Sequence, residues 1–207
     1  SPAVKRIISA YNSFHGRTFG ALAATGQPKY QESFRPLPTG FRYAKFNDLK
    51  SWEAAISEQT CAVLLELVQG EGGVNPISPA FLYGLAEICR QKGILLIFDE
   101  VQTGLGRTGK YFAWQHLGIK PDLITSAKAL GEGVPIGALL ASNKVADAFQ
   151  PGDHSTTVGG GGLAFAVGLE VLRIMEEENL PERAASLGAE LISTFQNWQK
   201  EIPIIKE

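Results

Sequence analysis

Cysteine, histidine and methionine are all scarce in this 207-residue chain: two, three and one respectively. Cys61 and Cys89 build no disulfide framework, and so low a thiol count reads as a protein of a reducing, cytoplasmic setting. Neither has a partner at ligand spacing, and His15, His116 and His154 are scattered, so no metal site is expected. Charge of one sign is missing too. Against 21 Asp and Glu stand 19 Lys and Arg, a net charge of −2, so no bulk field recommends nucleic acid or an anionic membrane as partner. No apolar run approaches the roughly 18 residues of a membrane span. What the chain does have is 44% hydrophobic and 19% charged residues, a globular balance that supports a packed core and argues against disorder. Its length fits one large domain or two small ones.

Short apolar runs alternate with amphipathic stretches. Residues 4–10, 41–46, 62–68, 94–98, 123–125 and 138–141 read as strands, and 49–57, 80–92 and 144–149 as helices. Continuously apolar runs such as Val63-Leu64-Leu65 suit strands covered on both faces, as in a parallel sheet. The recurrence of strand, helix and strand over roughly 30 residues is that of βαβ units, so the expected class is α/β. After Gly162 the pattern changes to two long helices, 163–178 and 181–200, with Pro181 placed as a first helical residue. Ligands of an open parallel sheet bind outside the carboxyl ends of the strands. The polar, glycine-rich segments 66–73, 99–109, 126–137 and 153–162, with residues 14–18 after the first strand, are where chemistry is expected.

Two nucleotide motifs fail on context. Gly104 to Gly109 spells G-x-G-x-x-G, and with Lys110 it also spells G-x-x-x-x-G-K. A phosphate loop needs Ser or Thr next, where this chain has Tyr111, and a dinucleotide fingerprint needs its glycines directly after the strand. Asp99 is a different matter. It ends one of the most apolar strands, where an unpaired carboxylate costs several kcal/mol to bury; by position alone a helix cap or ion pair explains it equally well. Lys128 follows 29 residues later, one crossover away, flanked by Ala127, Ala129 and Leu130. A carboxylate and an amine at one sheet edge suit a cofactor with a cationic ring nitrogen and an aldehyde, which describes pyridoxal phosphate.

Residues 65–74, L-E-L-V-Q-G-E-G-G-V, resemble the E-P-V-Q-G-E-G-G signature of class III aminotransferases. Residues 98–109, F-D-E-V-Q-T-G-L-G-R-T-G, resemble their F-D-E-V-Q-T-G-x-G-R-T-G, and 126–131, S-A-K-A-L-G, their cofactor-lysine segment. F-H-G-R-T at 14–18 and A-T-G-Q-P-K-Y at 24–30 are most similar to the acetylornithine aminotransferase branch. The resemblance implies the large domain of PLP-transferase fold type I, with a mostly parallel sheet and helices on both faces, incomplete at both ends. Residues 1–165 would belong to that domain, and 166–207 would lead towards a small carboxy-terminal domain.

The resemblance also implies roles. Lys128 would bear the cofactor and move the substrate proton, Asp99 would pair with the pyridinium nitrogen, Gln102 would approach the ring hydroxyl, and Phe14 would stack on the ring. Arg17 would clamp the substrate carboxylate, a task for which a planar two-pronged donor suits better than lysine. Glu66 would lie in the site, Glu71 would act as the acidic switch that pairs with a second arginine, and Thr157 would reach the cofactor phosphate of a neighbouring subunit in a homodimer. The implied reaction takes the terminal amino group of N2-acetylornithine to 2-oxoglutarate, in arginine biosynthesis. Ornithine, succinylornithine or 4-aminobutyrate as donor, an inactive assembly fragment, and a nucleotide-binding protein are the alternatives. The sequence departs from the family pattern at Leu67, at Glu132 where glycine is usual, and at Gly161-Gly162 where Asn-Pro is usual.

Overall fold

The computed structural model describes residues 5–154, 156–157, 159–202 and 204–205. In chain order the strands are β1 Arg6–Ala10, β2 Phe41–Ala44, β3 Thr60–Glu66, β4 Val68–Gln69, β5 Asn75–Pro76, β6 Leu95–Asp99, β7 Leu123–Ser126 and β8 Ala138–Ala141. The helices are α1 Phe19–Ala24, α2 Pro28–Gln31, α3 Leu49–Ala55, α4 Pro79–Lys92, α5 Trp114–Leu117, α6 Asn143–Ala146, α7 Gly162–Glu177 and α8 Leu180–Glu201. Six strands form one sheet in the order β2-β1-β3-β6-β7-β8. Every pairing in it is parallel except that of β7 with β8. The α/β class and the mostly parallel sheet are therefore as expected.

Alternation along β1 shows how the sheet is covered. Ile8 and Ala10 enter the main apolar cluster with Val63, Leu65, Leu96 and Phe98, under Trp52 of α3 and Phe81, Leu82 and Leu85 of α4. Ser9 points the other way, and its hydroxyl donates to the Ala24 carbonyl at 2.5 Å, which fastens α1 to the opposite face. Local chemistry sets the helix ends. Asp48 caps α3 by accepting from the Ser51 amide at 3.2 Å, and α4 stops at Gly93, whose φ of 65° is left-handed.

The expected strand over 62–68 is two elements. β3 ends at Glu66, and Val68–Gln69 turns into a hairpin with Asn75–Pro76. Leu67 is 2% exposed and its carbonyl accepts from Ile77 at 2.9 Å, so an apolar residue continues the core while the backbone changes partner. The expected helix over 144–149 shortens to Asn143–Ala146. Helices α1, α2 and α5 have six, four and four residues, too few for a 3.6-residue period to show. Among the described residues no helix is long and apolar enough to cross a membrane.

Candidate active site

Three parallel strands end at one level. Register pairs Glu66 of β3 with Asp99 of β6, and Asp99 with Thr125 of β7. Backbone pairing thus sets two carboxylates and a hydroxyl side by side at the carboxyl edge of the sheet. Asp99 is 8% exposed. Its Oδ1 accepts from the Val101 amide and the Thr125 hydroxyl, each at 3.1 Å. His15 Nδ1 lies 2.7 Å from Oδ2. An ionised carboxylate only accepts, so that ring nitrogen carries the proton. The His15 side chain is 2% exposed, and its Nε2 is buried without a partner among the described residues.

The loop after β1 is pinned from below. The Phe14 amide donates to Glu66 Oε2 at 2.9 Å, and the His15 amide to Thr25 Oγ1 at 2.9 Å. Burial pushes the Glu66 carboxyl up to about 7, and the Asp99 charge adds to the rise against the Phe14 amide and His15. Glu66 therefore anchors Phe14 from within the site.

A cavity of about 80 Å³ is lined by Phe14, His15, Gly16, Glu66, Val68, Asp99, Val101, Gln102 and Lys128. Five of the eight residues singled out from sequence meet there: Phe14, Glu66, Asp99, Gln102 and Lys128. Gly70 makes room for Gln102, since a Cβ at that position would stand 1.9 Å from Gln102 Oε1. Lys128 opens a short 3₁₀ turn after β7. Its φ of 44° is left-handed, a conformation that costs a non-glycine residue about 1–3 kcal/mol. Among the described residues its amine has neither an ion pair nor a hydrogen bond.

Arg17 lines a second, larger cavity of about 920 Å³ that shares His15, Gly16 and Val101 with the first. Glu71 stands in the turn between β4 and β5, hydrogen-bonded to the Tyr30 hydroxyl. Thr157 is exposed and lines neither cavity.

The donor set fits the group that the sequence resemblance implies. A carboxylate offers about four acceptor positions. Three of Asp99's are taken, which leaves one for the N–H of a protonated pyridine. An aromatic face, an amide side chain and an unpaired amine line the same cavity. Three further residues had no role from sequence. His15 and Tyr30 lie inside quoted motifs, but nothing in a one-dimensional pattern says what they touch. Glu100, fully buried, accepts from the Thr103 hydroxyl and from the Ala113 and Trp114 amides at 3.0 and 2.9 Å. It ties the loop after Asp99 to the start of α5. Its position directly after Asp99 was the available signal.

The glycine-rich 104–109 segment packs against a helix. A Cβ on Gly109, whose φ is 90°, would come within 2.8 Å of the Ala185 Cβ of α8.

The pattern of the class III aminotransferases, "Aminotransferase class-III", matches residues 1–207. The chain is 54% identical over 172 residues to the acetylornithine aminotransferase of Aquifex aeolicus, covering 83% of this chain and 46% of that protein. It is 51% identical over 175 residues to the succinylornithine transaminase of Yersinia pseudotuberculosis, covering 84% and 42%. The crystal structure of the ornithine aminotransferase from Toxoplasma gondii superposes with a TM-score of 0.89 at 37% identity, over 95% of this chain and 47% of that one. The chain spans about half the length of the curated relatives it matches. With all of its residues matched and a shared sheet, the chain belongs to the class III aminotransferase family.

Proposed function

We propose that this chain supplies the reaction centre of a PLP-dependent transamination that moves the terminal amino group of N2-acetylornithine to 2-oxoglutarate, a step of cytoplasmic arginine biosynthesis. The observation that carries the reading is the meeting of Asp99 and Lys128 in one cavity, the first held by three donors and the second unpaired. When bound, pyridoxal phosphate supplies an aldehyde to take up the substrate amine and an electron sink for the pair left behind by a departing proton. Asp99, fixed by His15, Val101 and Thr125, keeps a proton on the ring nitrogen. The Lys128 amine would take the proton from the substrate carbon bearing the transferred nitrogen and deliver it to the cofactor carbon that carried the aldehyde. Phe14 limits the ring's face and Gln102 meets its hydroxyl. Arg17 holds the substrate carboxylate, and Glu71 is the acidic switch that pairs with a second arginine when the amino donor leaves and 2-oxoglutarate enters. Thr157 acts in a homodimer on the neighbouring subunit's phosphate, which agrees with its exposure here. Residues 1–165 form the cofactor domain in this reading, with 166–207 leading towards a smaller one.

The second reading, succinylornithine as donor, is favoured by the 51% identity to a succinylornithine transaminase. Initial rates of glutamate formation, with 2-oxoglutarate as acceptor and an enzyme containing this chain, separate the two. The expected order places N2-acetylornithine highest in kcat/KM. A higher value for succinylornithine or ornithine contradicts the assignment of the donor.

A further inference from the structure

Arg17, Tyr30 and Glu71 form a cluster in which the reaction as described gives Tyr30 no part. The Arg17 guanidinium lies over the Tyr30 ring, 4.2 Å from its centroid, and 5.3 Å from that of Phe14. The two rings meet edge to face at 5.8 Å and 82°, an angled seat for a planar cation. Among the described residues no side-chain N–H of Arg17 makes a hydrogen bond. Among the described residues Arg17 has no ion pair. Glu71 is the nearby acid that would neutralise it, yet its Oε1 accepts from the Tyr30 hydroxyl instead. Lys29 Nζ also lies over the Tyr30 ring, at 4.6 Å.

The seat is built from fixed parts. Tyr30 sits in α2 beside Gln31, whose buried amide donates to the Leu22 and Thr25 carbonyls at 3.2 and 2.7 Å. The hairpin that carries Glu71 is tied to the loop after β1 by Gln69, which donates to the Tyr11 carbonyl at 2.9 Å.

We propose that Tyr30 is a positioning residue that keeps Arg17 open to a substrate carboxylate: its ring seats the guanidinium while its hydroxyl holds Glu71 away. The proposal rests on Arg17 being the carboxylate clamp. Without the hydroxyl, Glu71 is free to pair with Arg17 and compete with the incoming anion. An exposed pair of this kind is worth up to about 1 kcal/mol, roughly a fivefold change in affinity.

The test measures binding of glutarate, a dicarboxylate with no amino or keto group, by titration calorimetry, so that no turnover is needed. Tyr30→Phe keeps the ring and should weaken glutarate about three- to fivefold, and adding Glu71→Gln should restore parental affinity. A purely structural role for the hydroxyl would not respond to that second change. Parental affinity in Tyr30→Phe, or a double variant as weak as the single one, overturns the proposal while leaving the clamp in place. If the parent does not bind glutarate, or Arg17→Ala binds it as the parent does, the clamp fails and the proposal with it. A covalent PLP adduct at Lys128 in the same preparations keeps either failure separate from that of the reaction centre.

Discussion

Burial and the neighbouring Asp99 push the Glu66 carboxyl up to about 7, so the folded chain binds that proton more tightly than the unfolded one does. The contribution to stability is therefore full below the ordinary carboxylate pKa of about 4.5 and is lost as pH rises through about 7, by roughly 3 kcal/mol. Glu66→Gln keeps an acceptor for the Phe14 amide and removes the titration. Urea unfolding between pH 5 and 8 should show a downward slope in the parent that is shallower in the variant; equal slopes would mean that Glu66 titrates normally. Asp99 answers to a different readout. Asp99→Ala leaves His15 and Thr125 facing a gap and, in the proposed reaction, removes the partner of the ring nitrogen. Losing one member of a buried pair costs roughly 3–5 kcal/mol, which falling on the transition state slows turnover about 10²–10⁴-fold. Near-parental turnover in that variant would remove Asp99 from the reaction. At this scale the meeting of Asp99 and Lys128 in one cavity was readable, because a carboxylate ending an apolar strand needs a reason and the lysine follows one crossover later. The partners of Asp99 were not. His15 and Thr125 stand 84 and 26 residues from it in the chain, and only sheet register joins them.

Elements with enough turns or apolar alternation were legible: β1, β6, β8, α4, α7 and α8 lie within two residues of their expected limits, apart from Val4, which lies outside the described residues. The strand that ran on to residue 68 was misread because Leu67 is apolar for a tertiary reason, filling the core beneath a hairpin. The 104–109 glycines spell a phosphate-loop pattern for other reasons: Gly104 lies against the Glu100 carbonyl, Gly106 against Met175 of α7, and Gly109 against Ala185 of α8, more than 70 residues away. Gly109→Ala puts a side chain 2.8 Å from the Ala185 Cβ at a left-handed φ, and should cost about 1–3 kcal/mol. Gly118 has a similar φ of 69° with nothing within 4 Å of a Cβ, so Gly118→Ala should cost less. A comparison of denaturation midpoints checks this, and equal losses would show that backbone strain alone decides. Glu132, where the sequence resemblance expects glycine, takes a left-handed φ of 42°, a conformation that strains a non-glycine residue.

Across the whole molecule, parallel register turns local sequence into a site. β1, β3, β6 and β7 run the same way, and their carboxyl ends with the segments that follow bring Phe14, Glu66, Asp99 and Lys128 into one cavity although 114 residues separate the first from the last. Arg17, Tyr30 and Glu71 assemble at its flank by the same logic. The central claim is that Lys128 is the amine that bears the cofactor, and the most direct measurement is chemical. Protein shown to be folded by circular dichroism is mixed with pyridoxal phosphate, reduced with borohydride, digested and mapped by mass spectrometry. Visible absorbance before reduction and cofactor mass on Lys128 afterwards are the predicted result; label on another lysine, or none on folded protein, would contradict it.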